Sequence, residues 1–149
     1  MKLPSFARWM DSDRNVLRDS WDMLAVLPGG KVVFSELIGR LAPYSGSIGA
    51  RVVNLRRGYA EVTLREHRAV QNHLRSIHAI ALVNLAEIAG NVAFAYSMPD
   101  DARFIVANLS INYHKKARGL IRANSRTTAT TRLAIVAVSG ALIGESNPA

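Results

Sequence analysis

A chain of 149 residues, 49% of them hydrophobic, 7% aromatic and 20% charged, is one domain's worth of sequence, able to bury about two-thirds of its unfolded surface in a single core. That balance excludes a disordered polyelectrolyte, and a mean hydropathy of +0.08 excludes a chain built of membrane spans. The absence of cysteine removes disulfide scaffolds, thiolate zinc sites and thiol nucleophiles.

Among the first residues, Met1 to Arg8 contains no uninterrupted apolar stretch and Asp11, Asp13 and Arg14 follow closely, so no secretory signal is expected and a cytoplasmic location is. Val16, Leu17, Trp21, Leu24 and Val26/Leu27 recur at three- to four-residue spacing and predict an amphipathic helix that Pro28-Gly29-Gly30 stops. Val32, Val33, Leu37 and Leu41 predict a second one, closed by Pro43 and the Ser45-Gly46-Ser47 turn. These helices define an N-terminal extension, residues 1–44, ahead of a domain spanning 45–149.

From Ile48 the period changes to two. Val52, Val53 and Leu55, then Ala60, Val62 and Leu64, predict two strands joined by a hairpin at Arg56-Arg57-Gly58. Ile105, Ala107, Leu109, Ile111 and Tyr113 alternate with polar residues and predict a third strand. Ile121, Ala123, Ser125 and Thr127 predict a fourth, and the apolar run from Leu133 to Val138, continuing to Ile143, a fifth. Short connections and alternating faces point to an antiparallel sheet, and so to an α+β domain.

Between these strands, Ser76 to Pro99 runs without Lys or Arg, and Glu87 is its only full charge. A membrane span is disfavoured because His78, Asn84, Glu87 and Asn91 fall inside it. The segment predicts instead a buried helix about 30 Å long, with strands curved around it. Ile80, Asn84, Glu87 and Asn91 share one stripe, and Ala81, Leu85, Ile88, Val92 and Ala95 another. A solvent face would carry Lys, Arg or several Glu; a single carboxylate between two amides points to a subunit interface or a site. Ser76 is the expected N-cap, leaving the amides near His78 to Ile80 as free donors at a positive helix end. Such amides can hold a phosphate or a polarised carbonyl oxygen. Glu87 lies on the opposite side of the helix from His78, so the two would meet only across a two-fold axis.

The order Asn72-x5-His78-Ala79-x7-Glu87, on a long helix that follows a hairpin, resembles the hotdog-fold thioesterases of the phenylacetic-acid type. Their pattern runs Asn-x-x-Gly-x-x-His-Gly-Gly, with an acidic residue nine positions after the His. Leu109 to Gly119 is similar to a strand of that family, and the N-terminal helices resemble an uncharacterised thioesterase-related branch. The sequence departs from the pattern at Arg75, which stands in place of Gly, at Ala79-Ile80 in place of Gly-Gly, and at Glu87 in place of the commoner Asp. The N–H survives a change from Gly to Ala, while the added Cβ atoms crowd the approach of a carbonyl.

The resemblance implies a hotdog fold and an acyl-CoA thioester hydrolase without a cofactor. It implies that the Ala79 amide polarises the thioester carbonyl, that Glu87 of a neighbouring subunit activates water or attacks the acyl carbon, that Asn72 positions the water or carbonyl, and that His78 supports the arrangement. A dimer or tetramer follows. The alternative is a non-catalytic hotdog module that holds acyl-CoA or a fatty acyl chain.

The net charge of +8 comes from 15 Arg and 4 Lys against 11 acidic residues, and Arg offers a planar fork of donors suited to phosphate. Arg68, Arg75, Lys115, Lys116 and Arg118 are candidates for the phosphates of coenzyme A or the acidic surface of an acyl carrier protein. Nucleic acid is not expected as a partner, since charge alone suggests it and no recognition motif accompanies it.

Overall fold

Residues 12–127 and 133–138 are described in the computed structural model. The first helix, α1 (Val16–Leu24), starts at Asn15, whose side chain accepts the Arg18 N–H at 3.0 Å. It buries Leu17 and Trp21 and ends before Val26 and Leu27, which are exposed although the spacing assigned them to the apolar face. Gly29, at φ 72°, reverses the chain into α2 (Gly30–Leu41). Here Phe34 is the buried anchor, edge-on to Trp21 with ring centroids 5.0 Å apart, while the expected core residues Val32 and Val33 face outward. Pro43 opens a short helix, α3 (Pro43–Gly46), rather than ending a long one, because its fixed φ suits a first helical turn. Gly46 lies so close to Gly39 that a Cβ on it would sit 2.3 Å from the Gly39 carbonyl oxygen.

The hairpin forms as expected, with β1 (Arg51–Arg56) antiparallel to β2 (Tyr59–Arg65) and Arg56 paired with Tyr59 across the turn. β2 pairs with β3 (Leu120–Thr127), and β3 with β4 (Leu133–Val138), giving a four-stranded antiparallel sheet in the order β1-β2-β3-β4. The proposed extension of the last strand to Ile143 lies outside the described residues, as does Met1 to Arg8. Alternation along β2 and β3 turns Ala60, Val62, Leu64, Ile121, Ala123 and Ser125 inward. The outer face is polar and half-exposed: Tyr59 donates to Asn124 at 2.9 Å and Arg122 pairs with Glu61 at 2.5 Å.

Across the inner face lies α4 (Ala79–Ser97), the apolar helix read from the sequence. By length and composition it could cross a membrane, but ten of its residues are buried, Leu85 and Ala89 completely. One hydrophobic cluster joins it to the sheet and to Leu17, Trp21 and Phe34 of the N-terminal helices. At its C-terminal end, Asn15 donates to the carbonyl of Ala95 at 2.7 Å, and the Arg18 guanidinium to those of Tyr96 at 2.9 Å and Met98. A cation on orphan carbonyls at the negative end of a helix fastens α1 to α4.

Ile105 to His114, expected as a strand, is not assigned to one among the described residues; Tyr113 alone takes part in a β-bridge. The apolar residues of this run stay open, with Ile105 90% exposed.

Candidate functional site

The loop between β2 and α4 closes on itself through Asn72. Its Oδ1 accepts the N–H groups of Leu74 at 2.9 Å and Ser76 at 3.2 Å, and the Ser76 hydroxyl at 3.2 Å, while the Asn72 N–H donates to the Ser76 carbonyl at 2.8 Å. This geometry gives Asn72 a turn-forming role through its oxygen and leaves its Nδ2 group without a partner among the described residues. The tight loop holds Arg75 at φ 52°, a left-handed conformation that glycine adopts without strain. The arginine at this position therefore carries a backbone cost that a glycine would avoid.

Ser76 is buried and bonded to Asn72, and so does not cap the helix. The cap is His78, whose Nδ1 accepts the Ile80 N–H at 3.1 Å while the His78 backbone N–H donates to the Val70 carbonyl at 2.8 Å. Accepting at Nδ1 places the proton of the neutral ring on Nε2. A residue entering a helix from extended backbone can cap it with any suitably placed acceptor, and here the ring nitrogen serves. Ala79 is the first helical residue; its N–H has no intrahelical acceptor and its surroundings are open.

The segment after α4 returns to this end of the helix. The Tyr113 hydroxyl donates to the Ala79 carbonyl at 2.9 Å, and burial pushes the Tyr113 phenol pKa up. The Ile77 N–H donates to the Ala117 carbonyl at 2.9 Å, and the Arg118 guanidinium to the Leu74 carbonyl at 3.3 Å. Arg118 therefore stands against the Asn72 loop, with Lys115 and Lys116 exposed just before it. Arg68 is exposed on the short helical turn Arg68–Val70, and Arg75 is exposed on the loop. Tyr113 has no signal in the sequence beyond its place in an alternating run.

Glu87 stands apart from Asn72, His78 and Ala79. It sits half-buried two turns along α4, about 12 Å from Ala79 by the helical rise, with no hydrogen bond or ion pair among the described residues. No single chain brings it to the helix end. Along the same side of α4, Ile80, Val83, Glu87, Asn91 and Phe94 are all partly open. The expected polar stripe is thus corrected at Asn84, which is 4% exposed. Its Nδ2 donates to the Tyr44 carbonyl at 3.2 Å, and its Oδ1 has no partner. The signal was present as a lone amide in an apolar helix, but only the tertiary fold shows that α3 covers it.

On that covered side, a cavity of about 240 Å³ opens between the start of α4 and α3, lined by Tyr44, Ser47, Gln71, His78, Ile80 and Asn84 among others. The arrangement offers a free helix-end amide, a capped and fixed first turn, a fringe of cations and a carboxylate that a second copy could supply. Together these suit addition to a carbonyl whose oxygen rests at the helix end.

Residues 30–142 match the family described as a domain of unknown function, DUF4442. A crystal structure of a structural-genomics target is 36% identical, with a TM-score of 0.71 over 86% of this chain and 92% of that one. A thioesterase family protein from Silicibacter pomeroyi is 17% identical, with a TM-score of 0.64 over 73% of this chain and 87% of that one. A variant of a phenylacetic acid degradation protein from Thermus thermophilus is 18% identical, with a TM-score of 0.58 over 68% and 90%. No curated protein matches the chain. The α+β architecture is that of the hotdog thioesterases.

Proposed function

The chain belongs to the DUF4442 family, within the hotdog thioesterase superfamily, and from that premise we propose that it hydrolyses acyl thioesters, with acyl-CoA or an acyl carrier protein as the thiol carrier. The observation that carries this reading is the open N-terminus of α4, where the Ala79 N–H has no acceptor among the described residues and the first turn is held by His78 and Tyr113.

In the proposed reaction the thioester carbonyl oxygen rests against the Ala79 amide, where the helix end stabilises the charge that develops on it. Glu87 of a second copy takes a proton from water as the water oxygen bonds to the acyl carbon. The carbon–sulfur bond then breaks, and the proton passes to the departing thiolate. Asn72 contributes its Nδ2 group to orient water or carbonyl, and His78 keeps the helix end in place. Arg68, Arg75, Lys115, Lys116 and Arg118 receive the phosphates of coenzyme A or the acidic face of a carrier protein.

Assembly as a dimer or tetramer follows from this scheme, because the distance from Ala79 to Glu87 within one chain is too great for one carbonyl and one water. The partly open side of α4 from Ile80 to Phe94 is the surface a second copy would cover. We place the reaction in the cytoplasm.

A non-catalytic acyl-binding module is the second reading, favoured by one observation. Ile80 is 53% exposed at the helix start, where the family carries glycine, and its side chain narrows the approach to the amide. Thiol release from acyl-CoA by the purified protein and its Glu87→Gln variant separates the two. Turnover lost on substitution supports hydrolysis; saturable binding without turnover, untouched by the substitution, supports the binding module.

A further inference from the structure

A second, larger cavity of about 460 Å³ lies between α2, α3 and the edge strand β1. Ile38, Ala50, Val52 and Ile88 give it apolar walls, while the Arg51–Glu36 ion pair, 2.5 Å long, borders it. It adjoins the cavity at the helix end. Ser47 lines both, and along α4 the lining passes from Asn84 to Ile88, one turn further on. The short helix α3 bridges the two, pinned by the close approach of Gly46 to Gly39 and by the Asn84 bond to the Tyr44 carbonyl. A volume of 460 Å³ is within the roughly 300–1,000 Å³ of small-molecule sites, and Ser35, Arg40, Ser45 and Ser47 add polar groups to the apolar walls. At the junction the Asn84 Oδ1 is buried and has no partner among the described residues.

We propose that the acyl chain of the substrate runs from the helix end past Asn84 and beneath α3 into the groove between the N-terminal helices and β1. This rests on the thioesterase reading for its direction, since the thioester carbonyl sits at Ala79 and the chain must leave from there into an apolar space. The groove then selects medium or long aliphatic acyl groups over acetyl, and the N-terminal helices act as the specificity element.

Ala50 is partly buried in the groove, so Ala50→Phe fills it. The ratio of kcat/KM for dodecanoyl-CoA to that for acetyl-CoA is measured in the wild type and the variant. A ratio that favours dodecanoyl-CoA in the wild type and falls about tenfold or more in the variant upholds the proposal. A ratio that does not change overturns it. Should Ala50→Phe fail to fold, Ala50→Leu carries the same comparison with less added volume. If the wild type cleaves no acyl-CoA, the hydrolase reading fails by itself and calorimetric titration with dodecanoic acid decides the groove. Saturable binding weakened about tenfold in the variant upholds the groove; no binding, or binding untouched by the substitution, overturns it.

Discussion

The imidazole Nδ1 of His78 accepts the N–H of Ile80 at 3.1 Å, so the residue that a sequence motif marks as functional is also the cap of the longest helix. Replacing His78 with Ala removes that acceptor and is expected to cost about 1 kcal/mol of stability. His78→Asn, which can supply an oxygen in the same position, recovers most of the loss. Urea unfolding of the three proteins measures it. Equal stability in all three would show that the cap contributes nothing.

Arg75 occupies a left-handed conformation at φ 52°. Because a side chain there costs roughly 1–2 kcal/mol, Arg75→Gly is expected to leave the protein as stable as the wild type or up to about 1 kcal/mol more stable, despite the greater freedom glycine has when unfolded. A fall in stability would place a stabilising contact on the arginine side chain. The affinity for coenzyme A, measured on the same variant, tests its separate assignment as a phosphate contact and is expected to decrease.

Ser125 is fully buried in β3, and its hydroxyl has no partner among the described residues. An unsatisfied buried hydroxyl costs about 1–3 kcal/mol, so Ser125→Ala is expected to raise stability by about 1 kcal/mol after the loss of packing around the oxygen. Differential scanning calorimetry reads this as a higher Tm.

Glu66 accepts the Gly119 N–H at 2.6 Å and the Gln71 side-chain amide at 2.8 Å, and the Gly119 bond above all holds its carboxyl below the usual carboxylate range. Glu36 is held low in the same direction, first by its bond to Arg51. A carboxylate whose pKa is depressed on folding stabilises the protein above its unfolded pKa, and that contribution is lost as pH falls through the folded value. The urea midpoint of the wild type is therefore expected to drop from neutral pH into the acid range, with a shallower drop in Glu66→Gln. Parallel profiles would contradict the assignment.

Local patterns made much of this architecture legible. The hairpin from Arg51 to Arg65 follows from strict alternation, and α4 from its length and near-uniform apolarity. What escaped depends on partners distant in sequence. The run from Ile105 to His114 alternates as a strand does, but among the described residues only Tyr113 is placed in a bridge and none of the run in a ladder. Asn84 belongs by wheel geometry with Glu87, yet the Tyr44 carbonyl draws it beneath α3. The order Asn72, His78, Ala79 was legible in the sequence, and the fold places Asn72 in the loop before α4 and His78 and Ala79 at its start. The helix cap, its Tyr113 strut and the groove behind α3 were not legible, because each is made by segments that the fold alone brings together.

The central claim is that Glu87 of one copy serves the Ala79 end of another. Thiol release from a panel of acyl-CoA esters, measured on purified wild type and on Glu87→Gln with its fold verified by circular dichroism, tests it most directly. The account predicts turnover by the wild type and a loss of about a hundredfold or more in the variant. No turnover of any ester, or undiminished turnover in Glu87→Gln, would contradict it.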